Sequence, residues 1–210
     1  MTECLPRIEQ TIDGDGETAQ ALHDVLASRR SIRRLQDGPF SIAARERLLA
    51  AIRLTPASFN LPPWRVVLVH DRREALWAEI AGGFHETLQG DQLERYLDRL
   101  TGFSGGVAVA LVFVDSAIEK QLRDEKHLAP EVAASYVLQA LGMVQMALWL
   151  AVTAEGMATS LQHWDNLVGP RLARFAGLEP NRYRLIATMP IGCAAEEPKD
   201  VTRAESGKTA

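Results

Sequence analysis

The stretch 132-VAASYVLQALGMVQMALWLAVTA-154 constrains this chain more than any other. It is long and apolar enough to cross a bilayer, so its reading decides between a membrane protein and a folded domain built around one helix. Ser135, Gln139 and Gln145 interrupt it, and Glu131 and Glu155 bracket it where a span would carry Lys or Arg anchors. The run therefore reads as the spine helix of a fold or of a dimer interface, apolar nearly all round because it is covered nearly all round. No membrane span is expected.

The rest of the chain supplies what such a spine would pack against. Residues 1–16 form an acidic arm ending in 13-DGDG-16, and an amphipathic helix follows from Glu17 to Arg29. A second helix is predicted from an N-cap at Ser41 to Leu54. Three prolines and Asn60 exclude regular structure from 55-TPASFNLPPW-64. Strands are expected at 65-RVVLVH-70, 107-VAVALVFV-114 and 183-YRLIATMPIG-192, with helices near 72–81, 91–100 and 165–176. Long separations between strands rule out hairpins, so the expected class is α+β: a small central sheet wrapped by helices, in one domain over 17–192 with a tail at 193–210. The net charge of −4 gives no field that would attract nucleic acid. Cys4 and Cys193 stand far apart without metal-ligand spacing, and the amino terminus lacks a signal-peptide apolar run. A reducing, cytoplasmic setting is expected.

Chemical motifs are few. Gly102-Phe103-Ser104-Gly105-Gly106 matches G-x-S-x-G, but a helix precedes it and the strongest strand follows, the reverse of a nucleophile elbow. A flexible turn explains these glycines. No dinucleotide fingerprint or P-loop occurs, and the five histidines have no metal-ligand spacing. No metal site and no protein nucleophile are expected. The run 119-EKQLRDEK-126 reads as a solvated face. There remains 28-SRRSIRRL-35, with four arginines in an acidic chain. It is either a helix-end charge cluster or a seat for a phosphate, whose oxygens accept bidentate bonds from guanidinium forks.

Four segments in order carry a resemblance: 29-RRSIR-33, then 56-PASFNLPPWRVVLV-69, then, after the long apolar run, 155-EGMATSLQH-163 and 184-RLIATMPIG-192. Together they resemble the nitroreductase family of flavoproteins over about residues 20–192. The resemblance implies an intertwined homodimer with FMN at the interface. Arg29 and Arg30 would face the FMN phosphate, Ser31 the phosphate or ribityl oxygens, and Arg33 the pyrimidine edge, where a cation stabilises charge on the reduced ring. Pro56, Ala57, Ser58 and Asn60 would approach from the partner subunit. Leu161, Gln162 and His163 would line the isoalloxazine, the alternative for His163 being a surface ring packed on Trp164. A basic residue near the carboxyl terminus, Arg203 or Lys199, would close on the phosphate. The chain departs from the family at Pro62, where Gln is usual, which removes an amide from beside the flavin.

The implied activity is an FMN-dependent oxidoreductase. It would use NADH or NADPH to reduce nitroaromatic, quinone or similar electrophilic acceptors by a ping-pong mechanism, the flavin carrying the chemistry. A flavin-binding or lipid-responsive regulator with little turnover is the alternative reading.

Overall fold

The computed structural model describes residues 16–199. Its centre is β3 (Ala108–Asp115), buried along its whole length, as a continuous apolar run demands when both faces are covered. On one side β3 pairs with β2 (Trp64–Val69), from Trp64↔Val114 to Val69↔Val109; on the other it pairs with β5 (Tyr183–Ala194). The two-residue strands β1 (Leu35–Gln36) and β4 (Ala158–Thr159) both add to β5. Every pairing between these strands is antiparallel and the main order is β1-β5-β3-β2; each link between consecutive strands runs through one or two helices, so none is a tight hairpin.

Among the described residues seven α-helices surround this sheet: α1 (Glu17–Ser28), α2 (Ile42–Leu54), α3 (Arg73–Thr87), α4 (Gly90–Ser104), α5 (Ser116–Asp124), α6 (Pro130–Ala154) and α7 (Asp165–Phe175). The predicted cap of α2 is present, with Ser41 Oγ accepting from the Ala44 amide at 3.1 Å. One sheet face packs on α3 and α7 through Leu76, Phe84, Val168 and Leu172. The other packs on α2 and α6 through Leu48, Ile52, Val144, Leu148 and Val152.

The apolar run is indeed one helix, α6, and one of its faces is core. Its other face is not: Val132, Leu138, Met143 and Met146 are exposed, as are Leu22 and Leu26 on α1, a helix with no buried residue.

Four expectations need correction. The charged run 119–126 is only partly a solvated face, because α5 passes through it and buries Leu122 in a third core cluster with Val137 and Leu141. The 72–81 helix continues to Thr87. The glycines at 102–106 serve close approach rather than flexibility. A Cβ on Gly102 would lie 2.6 Å from the Arg33 carbonyl oxygen, one on Gly106 2.5 Å from that of Ile191, and one on Gly105 would overlap that of Leu35. The end of α4 thus lies directly against the backbone of the arginine segment. β5 also runs to Ala194, two residues beyond the strand expected at 183–192.

Candidate functional site

The arginine segment leaves α1 at Arg29 and is clamped along its length. Ser31 bridges Thr159 of β4, and the Ile32 amide donates to the Thr159 carbonyl at 3.3 Å. Thr159 pairs with Ile191, and Ile191 with Ala108, so Ser31 ends a row that runs across the sheet to β3. Farther on, Leu35 and Gln36 pair with Ala194 and Cys193. Between the two pairings, Glu196 Oε1 accepts from the amides of Arg33 (2.6 Å) and Arg34 (3.2 Å), and the Ala195 amide donates to the Arg34 carbonyl at 2.9 Å. With the glycines of α4 behind it, the backbone of 31–36 is fixed while its arginines project from it.

The four arginines differ. Arg29 places its guanidinium 4.5 Å from the centre of the Trp149 ring on α6. Arg30 turns back and donates to the carbonyls of Ala27 (2.5 Å) and Arg29 (2.9 Å), closing the end of α1. Arg33 is exposed and, among the described residues, has no ion pair. Arg34 lies 3.5 Å from Asp98 at the surface, as a solvated residue should.

The segment that follows Thr159 adjoins these arginines. Gln162 exchanges both main-chain hydrogen bonds with Thr188 at 2.9 Å, and its Nε2 donates to Ser160 Oγ at 3.0 Å. Because main-chain groups alternate along an extended segment, the amides of Leu161 and His163 point the other way. Neither makes a main-chain hydrogen bond among the described residues. The strand thus has one edge tied to β5 and one edge open. His163 is exposed, and its Nδ1 donates to the Ile186 carbonyl at 3.0 Å. Ile186 is the extra residue of a β-bulge, since Phe113 pairs with Leu185 and the adjacent Val112 with Ala187.

An ion pair anchors the approach to this strand. Arg47 on α2 binds Glu155 with Nε–Oε1 2.5 Å and Nη2–Oε2 2.8 Å. The Arg47 hydrogen bond holds the Glu155 carboxyl below its ordinary range. The pair fixes the end of α6 just before Gly156 turns the chain, at φ 71°, toward β4.

The loop 56–60 does not join this group within one protomer. Ser58–Asn60 make a single 3-10 turn, and Phe59 packs on Tyr136 with ring centres 6.5 Å apart. Arg29 instead meets Trp149, 13 residues farther along α6, which is about 20 Å at 1.5 Å per residue. Arg29 and Ser31 sit toward the Trp149 end of the spine; residues 56–60 flank Phe59 beside Tyr136 toward the other, and 161–163 run along β5 between them, His163 being bonded at Ile186, which packs on the cluster that holds Tyr136. Lys199 is exposed beyond β5, and Arg203 lies outside the described residues.

The family model of the Nitroreductase family matches residues 26–193. The chain belongs to the Nitroreductase family. A curated relative in Thermus thermophilus, named NADH dehydrogenase, is 26% identical over 168 residues, covering 79% of this chain and 78% of its own. Among solved structures, the nitroreductase CinD from Lactococcus lactis in complex with nicotinic acid superposes with a TM-score of 0.79 at 22% identity, covering 92% of this chain and 99% of that one. The FMN-dependent nitroreductase NfnB from Mycobacterium smegmatis, in complex with NADPH, gives 0.70 at 17% identity and covers 92% and 100%. The nitroreductase fold is thus shared over 92% of this chain.

The donor set fits FMN. A phosphate dianion suits forked cations and a hydroxyl, residue types that Arg29, Arg30 and Ser31 carry where the segment joins β4, and Arg33 adds an exposed cation on the same held backbone. The polar edge of a flavin requires acceptors and donors in a line, which the open edge of 161–163 offers through its amides. Glu155, Thr159 and Ile186 lay inside the segments quoted above with nothing to show what each would pair with, whereas Arg47 and Glu196 carried no motif signal. The glycines of 102–106 did carry one, in their spacing, and their role emerged only from the approach of α4.

Proposed function

We propose that this protein is an FMN-dependent oxidoreductase that takes electrons from NADH or NADPH and passes them to nitroaromatic, quinone or similar electrophilic acceptors by a ping-pong mechanism. The observation that carries the reading is the joint between Ser31 and Thr159, which sets an arginine segment beside an open-edged strand in a nitroreductase-family chain. FMN, when bound, supplies the hydride and electron chemistry. Arg29, Arg30 and Ser31 hold its phosphate and ribityl end, with Arg203 or Lys199 as the closing cation. Arg33 sets a positive charge at the pyrimidine edge and so favours the anionic reduced ring. Leu161, Gln162 and His163 orient the ring system. NADPH and nicotinic acid in the related structures support a nicotinamide reductant.

The working form in this reading is a homodimer. The exposed face of α6 is too apolar to stand in water over Leu138, Met143 and Met146. A second copy laid antiparallel along it brings the partner's 56–60 loop, at the far end of the spine, to the arginines of the first. Pro56, Ala57, Ser58 and Asn60 then close the flavin site and exclude water.

The visible spectrum of the purified protein tests the proposal. Flavin absorbance that bleaches under anaerobic NADH or NADPH and returns on adding a nitroaromatic or quinone is the expected result. Bound flavin that no nicotinamide reduces would point to a regulator instead, and a colourless protein that cannot be reconstituted with FMN would exclude both.

A further inference from the structure

Two loops meet over Tyr136, and both adopt unfavourable backbone conformations. Phe59 (φ 57°, ψ 18°) and Asn60 (φ 56°) are consecutive left-handed residues, and His127 (φ 54°) is left-handed in the facing loop. A bulky side chain seldom adopts this conformation, because its Cβ crowds the following carbonyl. The turn is held by Asn60 N–H to Ala57 O (3.0 Å) and Leu61 N–H to Ser58 O (3.1 Å), and the facing loop by Leu128 N–H to Leu122 O (3.3 Å). Leu61, Leu128 and Tyr136 all rest on the third core cluster, so the loops share one floor.

What this strain maintains is an aromatic ring outside its own protomer's core. Phe59 is 54% exposed, whereas burial would stabilise it. The Lys126 ammonium stands 5.9 Å from its ring centre. Among the described residues no carboxylate lies within ion-pair distance of that ammonium, and its neighbour Glu125 is occupied by Gln121 Nε2 at 2.9 Å. An exposed ring, a second ring beside it and an uncompensated cation together match a flat aromatic ligand bearing a negative charge. Backbone strain is commonly concentrated at ligand clamps.

We propose that Phe59, Tyr136 and Lys126 form an acceptor subsite that selects planar aromatic carboxylates over neutral aromatics of the same shape. The proposal rests on the reading above, in which this loop stands beside the flavin of the second copy. Phe59 and Tyr136 provide the stacking surface, and Lys126 provides the charge selection.

The test is calorimetric titration of the flavin-loaded dimer with benzoate and with benzamide, neither of which can be reduced at a nitro group. The wild-type protein should bind benzoate about fivefold or more tighter than benzamide, the range expected of a partly desolvated ion pair. Lys126→Gln should bring the ratio close to one, and Lys126→Arg should keep it. Phe59→Leu should weaken both ligands together and preserve the ratio. An unchanged ratio in Lys126→Gln, or equal wild-type affinities in a protein that holds reducible flavin, overturns the subsite alone. A protein that takes up no flavin overturns the functional reading and this subsite with it.

Discussion

His163 donates from Nδ1 to the carbonyl of Ile186, the one residue of β5 that the β-bulge leaves over in its pairing with β3. A carbonyl only accepts, so this bond fixes the neutral ring in the Nδ1-protonated tautomer and leaves Nε2 as an outward acceptor. Nitrogen-15 NMR of histidine-labelled protein at alkaline pH should show an unprotonated Nε2 for His163. The opposite tautomer would mean that the bulge does not orient the ring.

Arg33 tests the cofactor assignment without disturbing the core, because its side chain is exposed and its backbone is held by Glu196. Arg33→Ala should weaken FMN binding about tenfold or slow its reduction, as expected for losing one charge-assisted contact. Its thermal unfolding should match the wild type. FMN affinity and reduction rate both unchanged would remove Arg33 from the site.

The glycines of α4 link fold to site. Gly102→Ala would set a methyl group 2.6 Å from the Arg33 carbonyl oxygen, a backbone atom that cannot swing aside. The substitution should destabilise the protein by about 1–3 kcal/mol, as overpacking does, and accelerate flavin loss. Chemical denaturation and gel filtration with absorbance detection measure the two effects. Ser104→Ala, which removes only a hydroxyl bonded to the Thr101 carbonyl in its own helix, should change neither.

Acid stability should depend on Asp115. Its carboxyl is nearly buried, caps α5 through the Ala117 amide at 3.0 Å, and receives both Nε and Nη2 of Arg182 at 2.9 and 2.7 Å. The Arg182 hydrogen bond is the main cause that holds it below its ordinary range, with burial opposing. A lowered folded-state value stabilises the fold above the ordinary carboxylate pKa, and that contribution is lost as pH falls through the folded value. Asp115→Asn should therefore cost about 1–3 kcal/mol at pH 7, with the gap closing below about pH 4. Urea titrations at the two pH values decide it; a gap independent of pH would rule out charge as the cause.

The proposed dimer depends on the uncovered face of α6. Met146→Glu places a charge on an exposed position of that face, and should shift the protein toward monomer in sedimentation while reducing FMN retention. A monomeric wild-type protein that retains FMN would overturn the shared site.

Much of the fold was legible because its main elements are long and periodic. The β3 run could only be a doubly covered strand, and Ser41 marked the start of α2. Strands β1 and β4 were not legible, since two residues carry no period; long-range pairing with β5 defines them. The bulge at Ile186 was hidden for the same reason, its register being set by β3. In the site, the arginines and the EGMATSLQH segment were visible as residue types, but not their connection. That connection runs through Thr159, a residue with no chemical distinction in the sequence, and through Glu196, whose neighbourhood resembled a charged tail.

The 13-residue interval between Tyr136 and Trp149 makes α6 a ruler. It sets both the distance and the rotational phase between the Phe59 loop and the Arg29 segment, the two half-sites of the proposed dimer. Inserting one residue there would turn one half-site by about 100° relative to the other, and inserting a full turn would misplace it by about 5 Å. The interior of this helix should therefore tolerate changes of side chain far better than changes of length, even at positions that touch neither half-site.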